Sequence, residues 1–359
     1  MKLNAELNAI KRDEFPWMLE VTKWATNKAL NDLGDAFANF FSRLRKHQKP
    51  GYPKFKKKGR CKESFYVAGL DLGFNGNKIR IPRLGWVRMA ESIRIPGRPV
   101  SARFSRTADK WFVSIQIEVD PQWQYPHGCK SQAAVGVDIG IVDLAVRSNG
   151  NVTKAPRALR LYESRLKKLQ RELSRRKKGG SSWQKTKVKI QRTHEKVRNI
   201  RSDVIHNLTA GLVRDFRWIG IEDLNVQGMV KNRRLAKSVA DAALAEVRRQ
   251  LEYKAVLAGG TVVIADRWFP SSKMCYACGH VVESMDISVR KWTCCSCGAQ
   301  HDRDRNASLN LEAMAAGYAV KARGAGGADD GYFGVVKLPS WKRESSSYLP
   351  IKNRQRLKS

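Results

Sequence analysis

Acidic residues are scarce in this chain of 359 residues: aspartate and glutamate number 33, against 68 lysines and arginines. The net charge of +35 repels itself unless a polyanion neutralises it. Long hydrophobic runs are also missing, since no apolar stretch approaches the roughly 18 residues of a membrane-spanning helix. The opening residues, MKLNAELNAIKRDEF, contain acids and lack the apolar core of a secretory signal. Nucleic acid is therefore favoured over a membrane surface, and we expect a cytoplasmic protein.

Cysteine is rare outside one short segment. Five of the seven cysteines lie between positions 275 and 297, and an odd number in a reducing compartment favours metal ligation over disulfides. Two CxxC pairs stand in the spacing of a tetrahedral zinc ribbon, Cys275 with Cys278 and Cys294 with Cys297. A redox pair or free thiols are the alternative. Cys295 could replace Cys294 only by leaving a CxC pair that closes poorly, so Cys294 is the preferred ligand.

Glycine follows the second cysteine of each pair, at Gly279 and Gly298. A zinc knuckle needs a tight turn at this position, and glycine adopts such turns without steric cost. Cys61 and Cys129 stand alone, and we expect them to have no role.

The spacing of apolar residues predicts the elements of the remaining chain. Residues 16–47 follow a helical period and predict two short helices, whereas the period of two between 64 and 120 predicts a small antiparallel β-barrel, with one strand over 92–97. Residues 157–215 are charged and interrupted at KKGGSS, which predicts a helical hairpin with one basic side; a solvated arm is the alternative. Further helices are predicted at about 237–257 and beginning near Asn306.

Three carboxylates stand at the ends of predicted elements: Asp138 after an apolar strand in VGVDIG, Glu222 after another in IGIEDL, and Asp304 near the start of a helix in HDRDRNASLN. Each alone is commonly a strand exit or a helix cap. Together, this order is the one by which an RNase H-like sheet gathers carboxylates around two divalent cations, roughly 4 Å apart, that hydrolyse a phosphodiester. Oxygen ligands of this kind favour Mg²⁺ or Mn²⁺.

The segments VGVDIGIVDLAV, IGIEDLNVQGM, CYACGH, WTCCSCGAQHDRDRNASLNL and GYPKFKKKG together resemble the TnpB family, the OrfB-type proteins of insertion sequences, which are related to type V CRISPR effectors. The resemblance spans roughly residues 25–320. It implies an RNA-guided DNA endonuclease whose RuvC-like domain binds metal through Asp138, Glu222 and Asp304. Asp304 is preferred over Asp302 because the third acid of the family stands in a D-x-N-A pattern. Asp302 and Asp143 would then lie beside the metal ligands or have a structural role.

The resemblance also implies the fold class, an α/β multidomain protein, and its partners. The implied regions are a helical recognition lobe at 1–50, a β-barrel at 51–130, an RNase H-like RuvC nuclease domain at 131–322 with the hairpin at 157–215 and the zinc ribbon at 271–300, and a disordered tail at 323–359. The partners are a guide RNA from the element and double-stranded target DNA, with sequence read mainly by base pairing. Members of the family begin with a short basic strand, so we expect this chain, starting at MKLNAELNAIKRD, to leave a barrel edge exposed.

Two other functions remain open. One alternative is a regulator that binds nucleic acid and has lost cutting, although the retention of all three acids argues against it. The other is a transposase that joins DNA ends. No tyrosine or HUH-type motif supports a covalent joining mechanism. Cys297 precedes Asp304 by only seven residues, so we expect the ribbon to be an insert that steadies the approach to the third carboxylate.

Overall fold

The computed structural model describes residues 2–57, 61–120, 131–286, 288–324 and 334–337. The chain divides into two compact units, Met1–Trp123 and Gln124–Ser359. Residues 121–130, predicted as part of the barrel and a linker, and Cys129 with them, lie outside the described residues. The predicted division at residue 50 stays a prediction. Within the described part, no helix has the length and apolar character that crossing a membrane requires.

Helices open the first unit. α1 spans Lys2–Ile10, a 3-10 turn spans Pro16–Leu19, and α2 spans Lys23–Arg45. The prediction of two short helices over 16–47 is therefore wrong: this segment is a short turn followed by one helix of 23 residues. The turn starts at Pro16 because proline presets a helical φ and lacks an N–H that the first turn would leave unpaired.

Short strands complete this unit. They are β1 Ser64–Ala68, β2 Gly73–Asn75, β3 Lys78–Ile81, β4 Gly85–Arg88, β5 Arg98–Thr107 and β6 Lys110–Glu118. They form two antiparallel sheets of three strands, β1-β5-β6 and β2-β3-β4, so a closed barrel is not confirmed. The strand expected over 92–97 is absent from the structure of this segment. Pro96 cannot donate to a ladder and Gly97 has a φ of 141°, which together end extended pairing there.

The strands of the second unit build one large sheet and one small ribbon. They are β7 Ala134–Asp138, β8 Asp143–Arg147, β9 Val152–Lys154, β10 Trp218–Ile221, β11 Thr261–Ile264, β12 Lys291–Thr293, β13 Gln300–Asp302 and β14 Gly334–Lys337. The sheet has the order β14-β11-β10-β7-β8-β9, and β12 pairs with β13 in the ribbon. Strands β14, β11, β10 and β7 run parallel, whereas β8 is antiparallel to both of its neighbours.

Helices cover both faces of this sheet. They are α3 Ala158–Arg175, α4 Ser181–Asp215, α5 Val226–Lys231, α6 Ala236–Ala242, α7 Leu244–Ala258 and α8 Arg303–Gly324. Residues of α4 and α7 form the main core with the strands, and residues of α8 form a second core on the other face. Burial on both faces explains why the strands are continuous apolar runs instead of alternating patterns.

Two sequence predictions fail in this unit. The single helix expected at about 237–257 is broken at Ala243, whose φ of 54° is left-handed, so it becomes α6 and α7. The tail predicted to be disordered from 323 contains β14, whose Lys337 Nζ lies 2.7 Å from Oδ2 of Asp223. The rest of the tail beyond 337 is outside the described residues.

Candidate active site and metal centre

Two neighbouring parallel strands end in carboxylates. Val137 of β7 lies opposite Ile221 of β10, Asp138 is the last residue of β7, and Glu222 directly follows β10. The carboxyl ends of parallel strands meet at one edge of a sheet. The two carboxylates therefore lie side by side at this edge, and both are half-buried.

Helix α8 brings the third carboxylate because two glycines let it touch the sheet. Asp304 lies in its first turn. A Cβ added at Gly136 would stand 1.8 Å from the Ser308 carbonyl oxygen, and one at Gly220 would stand 2.3 Å from that of Leu311. Only glycine permits so close an approach of backbone to backbone. The glycines of VGVD and IGIE thus place α8, while the acids that follow them form the site.

The start of α8 differs slightly from the prediction. The helix begins at Arg303 instead of near Asn306. Asp302 Oδ1 accepts a hydrogen bond of 3.1 Å from the backbone N–H of Arg305, so Asp302 fills the capping role considered for Asp304.

Two of these carboxylates, Asp138 and Glu222, have raised pKa values. Burial raises the pKa of Asp138 well above its usual range, and the charges of Glu222 and Asp304 raise it further. Burial also raises the pKa of Glu222, against the opposing effect of a hydrogen bond from Ser271. Two neighbouring acids with raised pKa values are the sign of a site that a cation would stabilise.

Arginines supply part of the missing positive charge. Arg290 Nη1 lies 3.3 Å from Asp304 Oδ2 and is contributed by the segment just before β12 of the ribbon. The charge of Arg303 lowers the pKa of Asp138 and of Glu222. Asp143, by contrast, pairs with Lys154 at 2.6 Å.

The donor set of the carboxylates fits a hard divalent cation, because all of its atoms are anionic oxygens. Their side chains are nevertheless not gathered as a metal-holding group. Among the described residues, the single group of His, Cys, Asp and Glu close enough for an ion consists of cysteines. Coordination by Asp138, Glu222 and Asp304 therefore stays a prediction, although the fold brings all three to one edge.

The cysteine group comprises the four predicted ligands, whose sulfurs all lie within 4.8 Å of one another: Cys275, Cys278, Cys294 and Cys297. Two Sγ–Sγ distances, Cys275 to Cys297 and Cys278 to Cys294, are 3.7 Å. Zinc–sulfur bonds of about 2.3 Å in a tetrahedron require sulfurs about 3.8 Å apart. The set therefore fits Zn²⁺. Cys295 is exposed and outside the group, with its sulfur 3.3 Å from His280 Nε2, and Cys61 is exposed.

The two knuckles repeat one backbone design. The N–H of Gly279 donates to the Cys275 carbonyl at 2.8 Å, and that of Gly298 donates to the Cys294 carbonyl at 2.9 Å. Both glycines have positive φ, 79° and 72°. Gly279 and Gly298 thus occupy left-handed positions that other residues adopt only with strain. Burial raises the pKa of Cys275 to about 12, so its thiolate depends on a cation.

Sequence reasoning missed the side chains that join the ribbon to the edge of the sheet that carries the carboxylates. Asn306 and Asn310 of α8 are buried, and each donates from Nδ2 to the carbonyl of Met274, at 2.7 and 2.6 Å. Asn310 also donates to the carbonyl of Ser271 at 2.8 Å, and the Ser271 hydroxyl donates to Glu222. The pair of asparagines four residues apart in NASLN was the available signal, since buried amides on one helix face need partners.

The helical hairpin carries a basic cavity of about 560 Å³ between α3 and α4. We call it the hairpin groove. Lys196 Nζ lies 5.4 Å from the centre of the Tyr162 ring. No acidic side chain lines it, and its residues are Tyr162, Arg165, Lys168, Leu169, Lys189, Arg192, Thr193 and Lys196. Such a groove is suited to phosphate groups, which favours nucleic-acid binding over a merely solvated arm.

The sequence is similar to those of known proteins. A family model described as OrfB_IS605, "Probable transposase", matches residues 114–233, and a Cas12f1-like TNB domain matches residues 245–311. A Streptomyces pristinaespiralis protein named "Putative RNA-guided DNA endonuclease" is 36% identical over 320 residues, covering 88% of this chain and 77% of the relative. InsQ of Escherichia coli K12, which carries the same description, is 33% identical over 327 residues, covering 87% and 78%.

A solved structure is also similar. It is a cryo-EM structure of a Cas12f1-sgRNA-target DNA complex, with 15% identity and a TM-score of 0.47, covering 77% of this chain and 68% of that one. The family is shown instead by the two sequence relatives, which are 36% and 33% identical. The chain belongs to the TnpB family of OrfB-type proteins.

Proposed function

We propose that this chain is an RNA-guided, metal-dependent DNA endonuclease associated with a transposable element, acting in the cytoplasm. Its relatives bear the name of this activity. The observation that supports it here is the position of Asp138 and Glu222 at the ends of neighbouring strands, with Asp304 in the first turn of α8. Burial and the charges of Glu222 and Asp304 raise the pKa of Asp138. Such an arrangement is costly for folding alone, so a role for it in cation binding is favoured.

The proposed catalytic site is RuvC-like, in an RNase H-like sheet. Asp138, Glu222 and Asp304 would hold Mg²⁺ or Mn²⁺, since both ions prefer carboxylate oxygens. A pair of ions held there would supply the activation of a water and the neutralisation of charge on the phosphoryl and leaving oxygens. Ser271 fixes the orientation of Glu222 through its hydrogen bond. Arg290 and Arg303 add positive charge near the carboxylates, where a phosphodiester would lie.

The cysteine group is proposed to hold a structural Zn²⁺. A closed set of four thiolates leaves no position for a substrate, which distinguishes it from a catalytic zinc site. Its function would be to fold the segment that carries Arg290, while Asn306 and Asn310 hold the start of the ribbon, at Met274, on α8.

Guide RNA and double-stranded target DNA are the proposed partners. The net charge of +35 and the hairpin groove support a phosphate-dominated surface. Base pairing between guide and target would then supply sequence specificity, with the protein holding the backbone. The division of the first unit into a recognition lobe at 1–50 and a wedge-like barrel at 51–130 belongs to the same proposal.

The test is cleavage of a double-stranded target by the purified protein with its element-derived RNA and Mg²⁺. We expect Asp138→Ala to abolish cutting and the exposed Asp203→Asn, on α4 of the same unit, to cut as the wild type does. Equal cutting by wild type and Asp138→Ala would refute the assignment. Guided binding without nicking by the wild type would support a regulator, and strand transfer would support a joining enzyme.

A further inference from the structure

Trp268 is the most exposed tryptophan among the described residues, with 76% of its surface open to solvent. It lies on the loop between β11 and the first zinc knuckle. Large apolar side chains left this open on a folded surface mark contact sites when they group with other features. Three features accompany Trp268: the turn that holds it, a cavity beside it, and the closeness of Ser271 in sequence.

The loop backbone holds Trp268 in its outward position. Its N–H donates to Asp266 Oδ1 at 2.9 Å, and the N–H of Phe269 donates to the Asp266 carbonyl at 3.0 Å. Phe269 packs against the core formed with α8. Of these two consecutive aromatic residues, Phe269 packs against the core and anchors the loop, whereas the turn exposes Trp268 to solvent.

A cavity of about 500 Å³ adjoins the indole. Arg267 and Lys273 line it beside the apolar Val281 and Val282, with Glu283 as its one acid. The Glu283 carbonyl accepts a hydrogen bond from Lys273 Nζ at 3.1 Å. An aromatic face next to cations and an apolar wall is the combination that binds an unpaired nucleobase and its phosphate.

The loop leads directly to the proposed catalytic edge. Ser271, three residues after Trp268, donates its hydroxyl hydrogen bond to Glu222. At most about 11 Å of extended backbone therefore separates Trp268 from the serine that contacts Glu222.

We propose that Trp268 is a stacking platform for an unpaired base of the DNA strand that enters the carboxylate site. The assignment to DNA rests on the proposed endonuclease function. Stacking on an aromatic side chain is tolerant of sequence, which suits an enzyme whose specificity resides in a guide.

The experiment compares two decamers of equal charge, oligothymidylate and a chain of abasic deoxyribose phosphates, binding to the full-length protein without added Mg²⁺ or guide RNA. We expect Trp268→Ala to weaken oligothymidylate binding by roughly 5- to 150-fold, the range of one base–aromatic stack. Binding of the abasic decamer should stay within about twofold. Trp268→Phe should retain most of the difference in affinity between the two decamers. Trp17→Ala should leave that difference unchanged, because it removes an exposed indole from the other unit.

Several results would overturn the proposal. They are an unchanged affinity of Trp268→Ala for oligothymidylate, an equal loss for both decamers, or a larger loss for oligouridylate than for oligothymidylate. Because no cleavage is measured, a wild-type protein that fails to cut refutes the nuclease proposal without altering this readout.

Discussion

The hydroxyl of Ser271 donates a hydrogen bond to the carboxylate of Glu222, 49 residues away in sequence. The same serine offers its carbonyl to Asn310 of α8. One buried residue thus connects the strand that carries the second carboxylate with the helix that carries the third. These hydrogen bonds also fix the start of the zinc ribbon next to Glu222 and α8.

Ser271→Ala should lower cleavage and shift its pH dependence. The hydrogen bond lowers the pKa of Glu222, so its loss raises that pKa and leaves less carboxylate at a given pH. Losing a hydrogen bond to a charged group, about 1.5–3 kcal/mol, corresponds to roughly 10- to 150-fold in rate. Cleavage rates measured against pH should show the acid limb moved to higher pH, with Ser272→Ala as the neighbouring control. A lower rate with an unmoved acid limb would contradict this role.

Asp138→Asn should stabilise the protein in the absence of divalent metal. The folded-state pKa of Asp138 is raised, so the folded chain holds this proton more readily than the unfolded chain, and stability falls as pH rises from the unfolded to the folded pKa. At pH values above both, removing the charge should raise Tm by a few degrees. Mg²⁺ should raise the Tm of the wild type and have little effect on the variant. Thermal unfolding measures both effects on Tm, with Asp203→Asn as the control. An equal rise in Tm with Mg²⁺ in Asp138→Asn and Asp203→Asn would contradict the prediction.

Gly220→Ala should destabilise the nuclease unit, because the new Cβ would stand 2.3 Å from the Leu311 carbonyl oxygen. Overpacking of this kind costs about 1–3 kcal/mol, and the displaced α8 should also weaken cleavage. Gly211→Ala is the matched control, since nothing lies within 4 Å of its added Cβ in α4 and alanine favours helix by up to about 1 kcal/mol. Urea denaturation should move the two midpoints in opposite directions; a shared direction would be inconsistent with the close approach.

Cys278→Ser should lose the bound zinc, whereas Cys295→Ser should retain one zinc per chain. The sulfur of Cys278 belongs to the group of four clustered cysteines, whereas that of Cys295 does not. Because metal binding supplies the folding free energy of such a module, proteolysis within 271–300 should become faster in Cys278→Ser alone. Metal analysis with limited digestion measures both effects. Equal zinc content in the two variants would refute the ligand assignment.

Neutralising the hairpin groove should reduce the salt dependence of single-strand binding. Lys168→Gln with Lys189→Gln removes two charges that line the groove. Counterion release then predicts a slope of log K against log salt that is shallower by about 1.4. The control, Arg171→Gln with Arg198→Gln, removes the same charge from exposed positions of α3 and α4 outside the groove. A titration over salt in which both pairs change the slope equally would assign the effect to net charge instead.

The membership in the TnpB family and the cysteine set were accessible from sequence because they depend on local spacing. Two CxxC pairs with following glycines specify knuckles whatever the rest of the fold does. The strand after 134 and the one after 218 were likewise accessible, since buried parallel strands are short apolar runs. Elements whose limits depend on their neighbours were not. The helix break at Ala243 and the strand at Gly334–Lys337 have weak local signals and arise where partners pack.

The sequence by itself therefore determined the chemistry of this protein: an excess of cations, four thiols in knuckle spacing, and acids after apolar strands. Tertiary structure alone decided that burial raises the pKa values of Asp138 and Glu222 and that Ser271 reaches Glu222. It also decided that Trp268 stays open to solvent while Phe269 is packed against the core. The physical reason is that spacing along the chain governs local turns, whereas the pKa of a buried carboxylate and the exposure of an indole depend on groups brought from distant segments.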